Sequence, residues 1–157
     1  MPTFSIESNG RLEKTAVYLN GEQLGGVREI FINIEEEGAF DAFIQYEGTD
    51  KNLYTKQIFT DYFDNIKVVE PTFTEEEAQE LQLFTIDSDG NLEETSVFMN
   101  DEPLDGVVSV MIHIKGTAHP SGLKSFFQKT ETGDQPSFTA EITFRNEDDS
   151  IETETIF

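Results

Sequence analysis

FSIESNGRLEKTAVYLNGEQLGGVREIFINI, residues 4–34, lies without a gap on FTIDSDGNLEETSVFMNDEPLDGVVSVMIHI, residues 84–114, with 15 identities in 31 positions. Self-similarity at a fixed offset, here 80 residues, marks an internal duplication and frames every later reading. A second block resumes at offset 98, where FDAFIQYEGTDKNLYTKQIF (Phe40 to Phe59) faces FTAEITFRNEDDSIETETIF (Phe138 to Phe157). The offset grows by 18 residues, so the second copy carries an insertion of about that length between its third and fourth elements.

Within each copy the pattern has period two, with β-branched and aromatic residues separated by turn chemistry. Ile30, Ile32 and Ile34 alternate with Glu29, Phe31 and Asn33, and Val110, Ile112 and Ile114 repeat the stripe opposite Ser109, Met111 and His113. Ser8-Asn9-Gly10-Arg11, Ser88-Asp89-Gly90-Asn91 and Asn20-Gly21 have the composition of type I′ hairpin turns, which need positive φ. Five strands per copy follow: about 2–7, 12–19, 27–35, 39–47 and 52–60, then their equivalents from about residue 82. The predicted fold is all-β, two tandem five-stranded antiparallel repeats, each sheet with one apolar face that needs a cover. Two covers are available, the sister sheet in a pseudo-two-fold β-sandwich, which is the favoured reading, or another chain; the alternative to both is two small β-modules side by side. Repeat 1 spans residues 1–60, an acidic linker 61–80, and repeat 2 residues 81–157 with its inserted loop at 115–137. Thr74-Glu75-Glu76-Glu77 has the form of a capping box, which predicts a short helix over about 75–80 in the linker.

The chain has 157 residues, the length of one domain, and 32 acids against 10 Lys and Arg give a net charge of −22. Direct binding to a phosphate backbone is excluded for such a surface, because counterion release needs Lys and Arg. Without cysteine there is no disulfide framework, thiolate metal site or Cys nucleophile. Met1-Pro2-Thr3-Phe4-Ser5-Ile6 has neither a basic n-region nor an apolar h-region, so the expectation is a soluble, cytoplasmic protein with no membrane partner.

Motifs for chemistry are sparse. Asp87-Ser88-Asp89-Gly90-Asn91 begins like a calcium loop, but Leu92 and Phe98 stand where an EF-hand needs Gly and a bidentate acid, so it reads as a turn. His113 and His119 have no metal-ligand spacing; His113 reads as a strand residue outside the apolar stripe. No nucleophile elbow, phosphate loop or dinucleotide fingerprint occurs, and the reading is a non-enzyme without cofactor or metal. The insert KGTAHPSGLKSFFQKTETGDQPS (115–137) carries +1 in a chain otherwise at −23, with Phe126 and Phe127 between Lys124 and Lys129. Two uses fit that loop: a partner-binding finger or subunit clasp, or a lid folded over the core. The acids concentrate at Glu35-Glu36-Glu37, at Glu75-Glu76-Glu77 and at Glu147-Asp148-Asp149 with Glu152 and Glu154. Clustered on one face they would present a phosphate-like field; at one duplex charge per about 1.7 Å, the net charge matches roughly 11 base pairs.

The pattern T-x-V-x-x-N-G-x-x-L-x-x-V-x-x-I-x-I-x-I, carried by Thr15, Val17, Asn20, Gly21, Leu24, Val27, Ile30, Ile32 and Ile34, resembles small β-sheet proteins encoded in phage and prophage genomes. The second copy departs from it at Asp101 and Val110. A small, strongly acidic protein of that setting is similar to the anti-restriction and anti-CRISPR inhibitors that imitate DNA. The resemblance implies an interaction protein, monomer or homodimer, whose acidic face occupies the basic site of a nuclease or other nucleic-acid-binding protein. Phe126 and Phe127 would add apolar anchoring. Two other uses stay open: a structural virion or assembly module, which self-associates through strand edges, and a small-ligand or metal-binding β-protein using the His113 to His119 region.

Overall fold

The computed structural model describes residues 2–116 and 137–157. Among these residues thirteen strands form two antiparallel sheets. In chain order they are β1 (Thr3–Ser8), β2 (Thr15–Leu19), β3 (Glu22–Gly25), β4 (Val27–Glu35), β5 (Phe40–Glu47), β6 (Leu53–Gln57), β7 (Lys67–Val69), then after the helix α1 (Glu75–Ala78) β8 (Gln82–Asp87), β9 (Ser96–Met99), β10 (Glu102–Pro103), β11 (Val107–Lys115), β12 (Ser137–Arg145) and β13 (Ile151–Thr155). The insert with Phe126, Phe127 and His119 lies outside the described residues.

The first sheet runs β10-β9-β8-β1-β2-β3-β7 and the second β13-β12-β11-β4-β5-β6. This corrects the expectation of one five-stranded sheet per copy. Each copy sends strands to both sheets, and each sheet is built from both copies. The central pairs join the copies, with Ser5 opposite Thr85 in the first sheet and Ile32 opposite Ile112 in the second. Strands that pair across the copies in both sheets do not form two separate β-modules. Period-two alternation says which face of a strand is apolar, but it is silent on which sheet the strand joins.

Both sheets bury one face in a single cluster, where Phe4, Ile6, Phe84 and Ile86 of the first sheet meet Ile30, Ile32, Ile44, Ile112 and Ile142 of the second. Each copy adds the same aromatic trio. Phe59 makes edge contacts with Phe4 (6.4 Å) and Phe40 (6.0 Å), and Phe157 makes them with Phe84 (6.5 Å) and Phe138 (6.0 Å). Such pairs contribute about 0.5–1.5 kcal/mol beyond the area they bury.

Turn chemistry separates into two kinds. Asn20-Gly21 (φ 52° and 84°) and Asn100-Asp101 (φ 51° and 68°) both take the left-handed conformation, and they close β2–β3 and β9–β10 as two-residue turns. In Ser8-Asn9-Gly10-Arg11 and Ser88-Asp89-Gly90-Asn91 only the glycine has positive φ (94° and 99°), which corrects the type I′ reading. The β1–β2 connection is longer and includes a 3₁₀ turn at Leu12–Lys14, where strand was expected. Its cause is side-chain competition for the backbone: Asn9 Oδ1 accepts from Arg11 N–H (3.1 Å), and buried Ser8 Oγ accepts from Gly10 N–H (3.0 Å). Thr15 Oγ1 donates to the Arg11 carbonyl (2.7 Å), so the remaining hydroxyl proton, that of Ser8, bridges Ser8 to Thr15 (2.8 Å). The second copy repeats every bond through Ser88, Asp89, Gly90, Asn91 and Thr95.

The copies finish differently. After β6 the first copy continues through Phe63, which stacks on Tyr46 (5.6 Å), to β7, which pairs with β3. Gln23, Leu24 and Val27 are buried there, whereas their equivalents Pro103, Leu104 and Val107 are exposed or half-buried.

Candidate interaction surface

The acidic triplet Glu35-Glu36-Glu37 ends β4 and forms its turn to β5. Glu35 N–H donates to the Ala39 carbonyl (2.9 Å) and Gly38, at φ 125°, donates to the Glu35 carbonyl (3.0 Å). Glu36 N–H reaches the Val108 carbonyl of β11 (2.9 Å), and the Glu36 carboxylate accepts from the Arg145 guanidinium at the end of β12 (2.6 Å). That ion pair brings the 35–37 turn beside the next acidic turn, which follows Arg145. There Asn146 N–H donates to the Ser150 carbonyl (2.8 Å), and Asp149 takes a left-handed φ of 67°. Asp148 Oδ1 accepts from both the hydroxyl (2.6 Å) and the N–H (3.0 Å) of Ser150, which hold its carboxyl below the usual range.

Two of the three expected acidic patches therefore adjoin. The third does not join them. Glu75, Glu76 and Glu77 lie on α1, where Glu77 closes a capping box with Thr74 and stands 3.7 Å from Lys14. The Thr74 N–H, first, holds the Glu77 carboxyl low. Lys14 also sits over the Phe73 ring (5.9 Å), so α1 is tied to the β1–β2 connection. This connection leaves β1 at Ser8, while its counterpart leaves β8 at Asp87, opposite Thr3 at the other end of the β1–β8 pair. Glu152 and Glu154 are exposed on the edge strand β13.

A crevice of about 280 Å³ opens between the sheets beside the joined acidic turns. Ile34, Leu92, Val97, Val107, Val108 and Val110 make its walls, and Glu36 lies at its lining. Glu93 and Glu94 follow Leu92 in a 3₁₀ turn. Sequence reading missed this place, although offset 80 carries a sign of it. Where the second copy has Glu94 and Val108, the first has Lys14 and Arg28, and Lys115 stands at the equivalent of Glu35. Arg28 occupies a bulge in β4 and bonds Glu47 (2.6 Å); the matching bulge in β11 holds Val108, and Arg145 occupies the place of Glu47. Three of these four equivalences thus carry opposite charge, and the fourth sets Arg28 against neutral Val108.

A smaller hollow of about 170 Å³ lies on the outer face of the second sheet, lined by Glu29, Phe31, Phe43 and Gln45 among others. Half-buried His113 flanks it, with Nε2 at 2.7 Å from Glu29 Oε2, its ring edge-on to Phe31 (5.9 Å), and Ser137 Oγ 3.5 Å from Nδ1. That last separation is longer than an ordinary hydrogen bond, and the group reads as a polar cross-strand cluster.

Among the described residues no helix is long and apolar enough to cross a membrane. The chain matches no protein-family model, no curated protein and no solved structure.

Proposed function

We propose that the chain is a duplicated half-sandwich with pseudo-two-fold symmetry, and that it acts as a non-enzymatic acidic interaction protein. Its acidic end occupies the basic site of a nucleic-acid-handling protein, such as a phage-targeted defence nuclease, in place of DNA. The symmetry is supported by the central pairs, which set residues 80 apart opposite each other in both sheets. One observation carries the functional reading: the Glu36–Arg145 pair clamps the 35–37 and 147–149 turns together at the end where Glu94 and Glu35 stand at the equivalents of Lys14 and Lys115. Carboxylates fixed on tight turns are preorganised for a basic groove and steer its approach at long range. Lys115 and Ser137, which flank the insert with Phe126 and Phe127, pair at the opposite end of β11 from Ser109 and Glu35, so the reading rests on the acidic turns.

The experiment is capture from bacterial lysate after nuclease treatment, followed by competition with duplex DNA of about 11 base pairs. A captured protein that binds DNA, is displaced by it, and is lost when Glu35, Glu37, Glu147 and Asp149 are changed to Lys is the expected result. Capture that ignores those four changes, or partners without affinity for nucleic acid, would overturn the reading. Changing Glu75 and Glu76 to Lys serves as the control patch.

An assembly module is the second reading, favoured by exposed Leu53 and Ile151 on the two edge strands of the second sheet. Against it stand Glu152 and Glu154 on β13 and Pro103 on β10, residue types that deter edge pairing. A sizing column distinguishes the two: ordered self-association favours assembly.

A further inference from the structure

We infer that the crevice between β9 and β11 is an anchor pocket that takes one large apolar side chain from a basic segment of a protein partner. The inference rests on the acidic-decoy reading and names the contact that would give it specificity. Its volume, about 280 Å³, lies at the small end of ligand cavities and has room for one such side chain. Its walls are aliphatic, from Ile34, Leu92, Val97, Val107, Val108 and Val110, and both sheets contribute.

What the occupant must carry follows from charge. Glu35 and Glu37 stand on one side in the β4–β5 turn, with Glu36 between them already paired to Arg145, and Glu93 and Glu94 follow Leu92 on the other in the 3₁₀ turn after Asn91. An apolar group brought here by Lys or Arg neighbours meets carboxylates on both sides, whereas one on an acidic segment is repelled. The first copy serves as an internal control. Its equivalent walls, Leu12, Val17, Val27 and Ile30, keep Glu13 at the place of Glu93 but have Lys14, Arg28 and Lys115 where this end has Glu94, Val108 and Glu35, so the rim is more acidic at this end. The copies also differ in cover: Val17 and Val27 are fully buried, Val97 less completely, and Val107 only half. A second copy of this chain is disfavoured as occupant because both molecules carry −22.

The test uses the full chain and two synthetic peptides, KRFRK and its glycine control KRGRK, titrated at low salt by fluorescence anisotropy. Phenylalanine burial should make KRFRK bind about 10- to 30-fold tighter than the control. The variant V108E separates the two forces. It adds an acid to the rim but makes the wall polar, and Arg145 is placed to pair with it as Glu47 pairs with Arg28. An anchor pocket predicts that V108E weakens KRFRK and leaves KRGRK equal or tighter. If both peptides bind equally to the unaltered protein and both tighten on V108E, charge alone operates; the pocket is overturned while the acidic decoy stands. If neither binds at low salt, both readings fall. Concentration-dependent dimerisation that shifts the crevice methyls would replace the basic partner with a second copy. Should V108E fail to fold, the methyl resonances of Val97, Val107 and Val110 in the unaltered protein decide. Shifts with KRFRK and not with KRGRK support the pocket; their absence overturns it.

Discussion

Replacing Ser8 with Ala removes one hydroxyl that is fully buried and serves two partners. The Gly10 N–H loses its acceptor at 3.0 Å, and Thr15 Oγ1, whose own proton is engaged by the Arg11 carbonyl, loses its donor at 2.8 Å. Each bond contributes about 1 kcal/mol, and a stranded buried group costs about 1–3 kcal/mol, so S8A should destabilise the protein by about 2–3 kcal/mol. For a chain of this size that lowers Tm by roughly 5–10 °C. Ser88→Ala breaks bonds of the same lengths, but Thr95 is half-buried where Thr15 is buried, so water can take the vacated place. Its cost should be smaller by about 1 kcal/mol. Urea unfolding followed by circular dichroism reads both, with an unchanged m-value expected. A loss under about 0.5 kcal/mol for S8A, or a larger loss for S88A, would refute the claim that this hydroxyl pair holds the β1–β2 connection.

Burial, and next the charge of Asp64, push the Tyr46 phenol from 10.0 up to about 12. The folded state favours the neutral ring, so its stabilisation is whole below pH 10 and is lost as pH rises to about 12, a span of about 2–3 kcal/mol. Tyr46→Phe gives up the 2.7 Å bond to the Asp64 carbonyl and should flatten that alkaline fall; an unchanged slope between pH 10 and 12 would discard the assignment. Ten Lys and Arg cannot neutralise 32 acids, so self-repulsion should dominate. Raising salt from about 0.01 M to about 0.1 M, which shortens the screening length from about 30 to 10 Å, should therefore raise Tm by a few degrees, and a fall would reverse the argument.

The apolar stripes were legible because Ile30, Ile32 and Ile34 can bury only one face of a strand, and Asn20-Gly21 declared its turn through φ. The partition into sheets was not, since the same stripe serves either layer. Strand β3 escaped notice because Glu22–Gly25 is short and borrows its stability from β7, which lies more than 40 residues away in the chain. The Ser-Asn-Gly turn misled because the composition of a type I′ turn does not reveal hydroxyls that bind the backbone instead. At the candidate surface the acidic triplets were readable one by one. Their junction was not, because it depends on Arg145, a lone cation 109 residues from Glu36.

The pairing of β1 with β8 and of β4 with β11 bears on how the protein is made. When the first copy has left the ribosome, β1 and β4 each have one neighbour and one bare edge, and the strands that will cover those edges lie about 80 residues further on. At 5–20 residues per second that interval lasts roughly 4–16 seconds. During it the nascent half exposes two central strands, rich in isoleucine and phenylalanine, to any other extended chain. Completion is then a zipping of late strands onto early ones, with high contact order and slow closure, and the window before it is where chaperones or mispairing between neighbouring nascent chains would act.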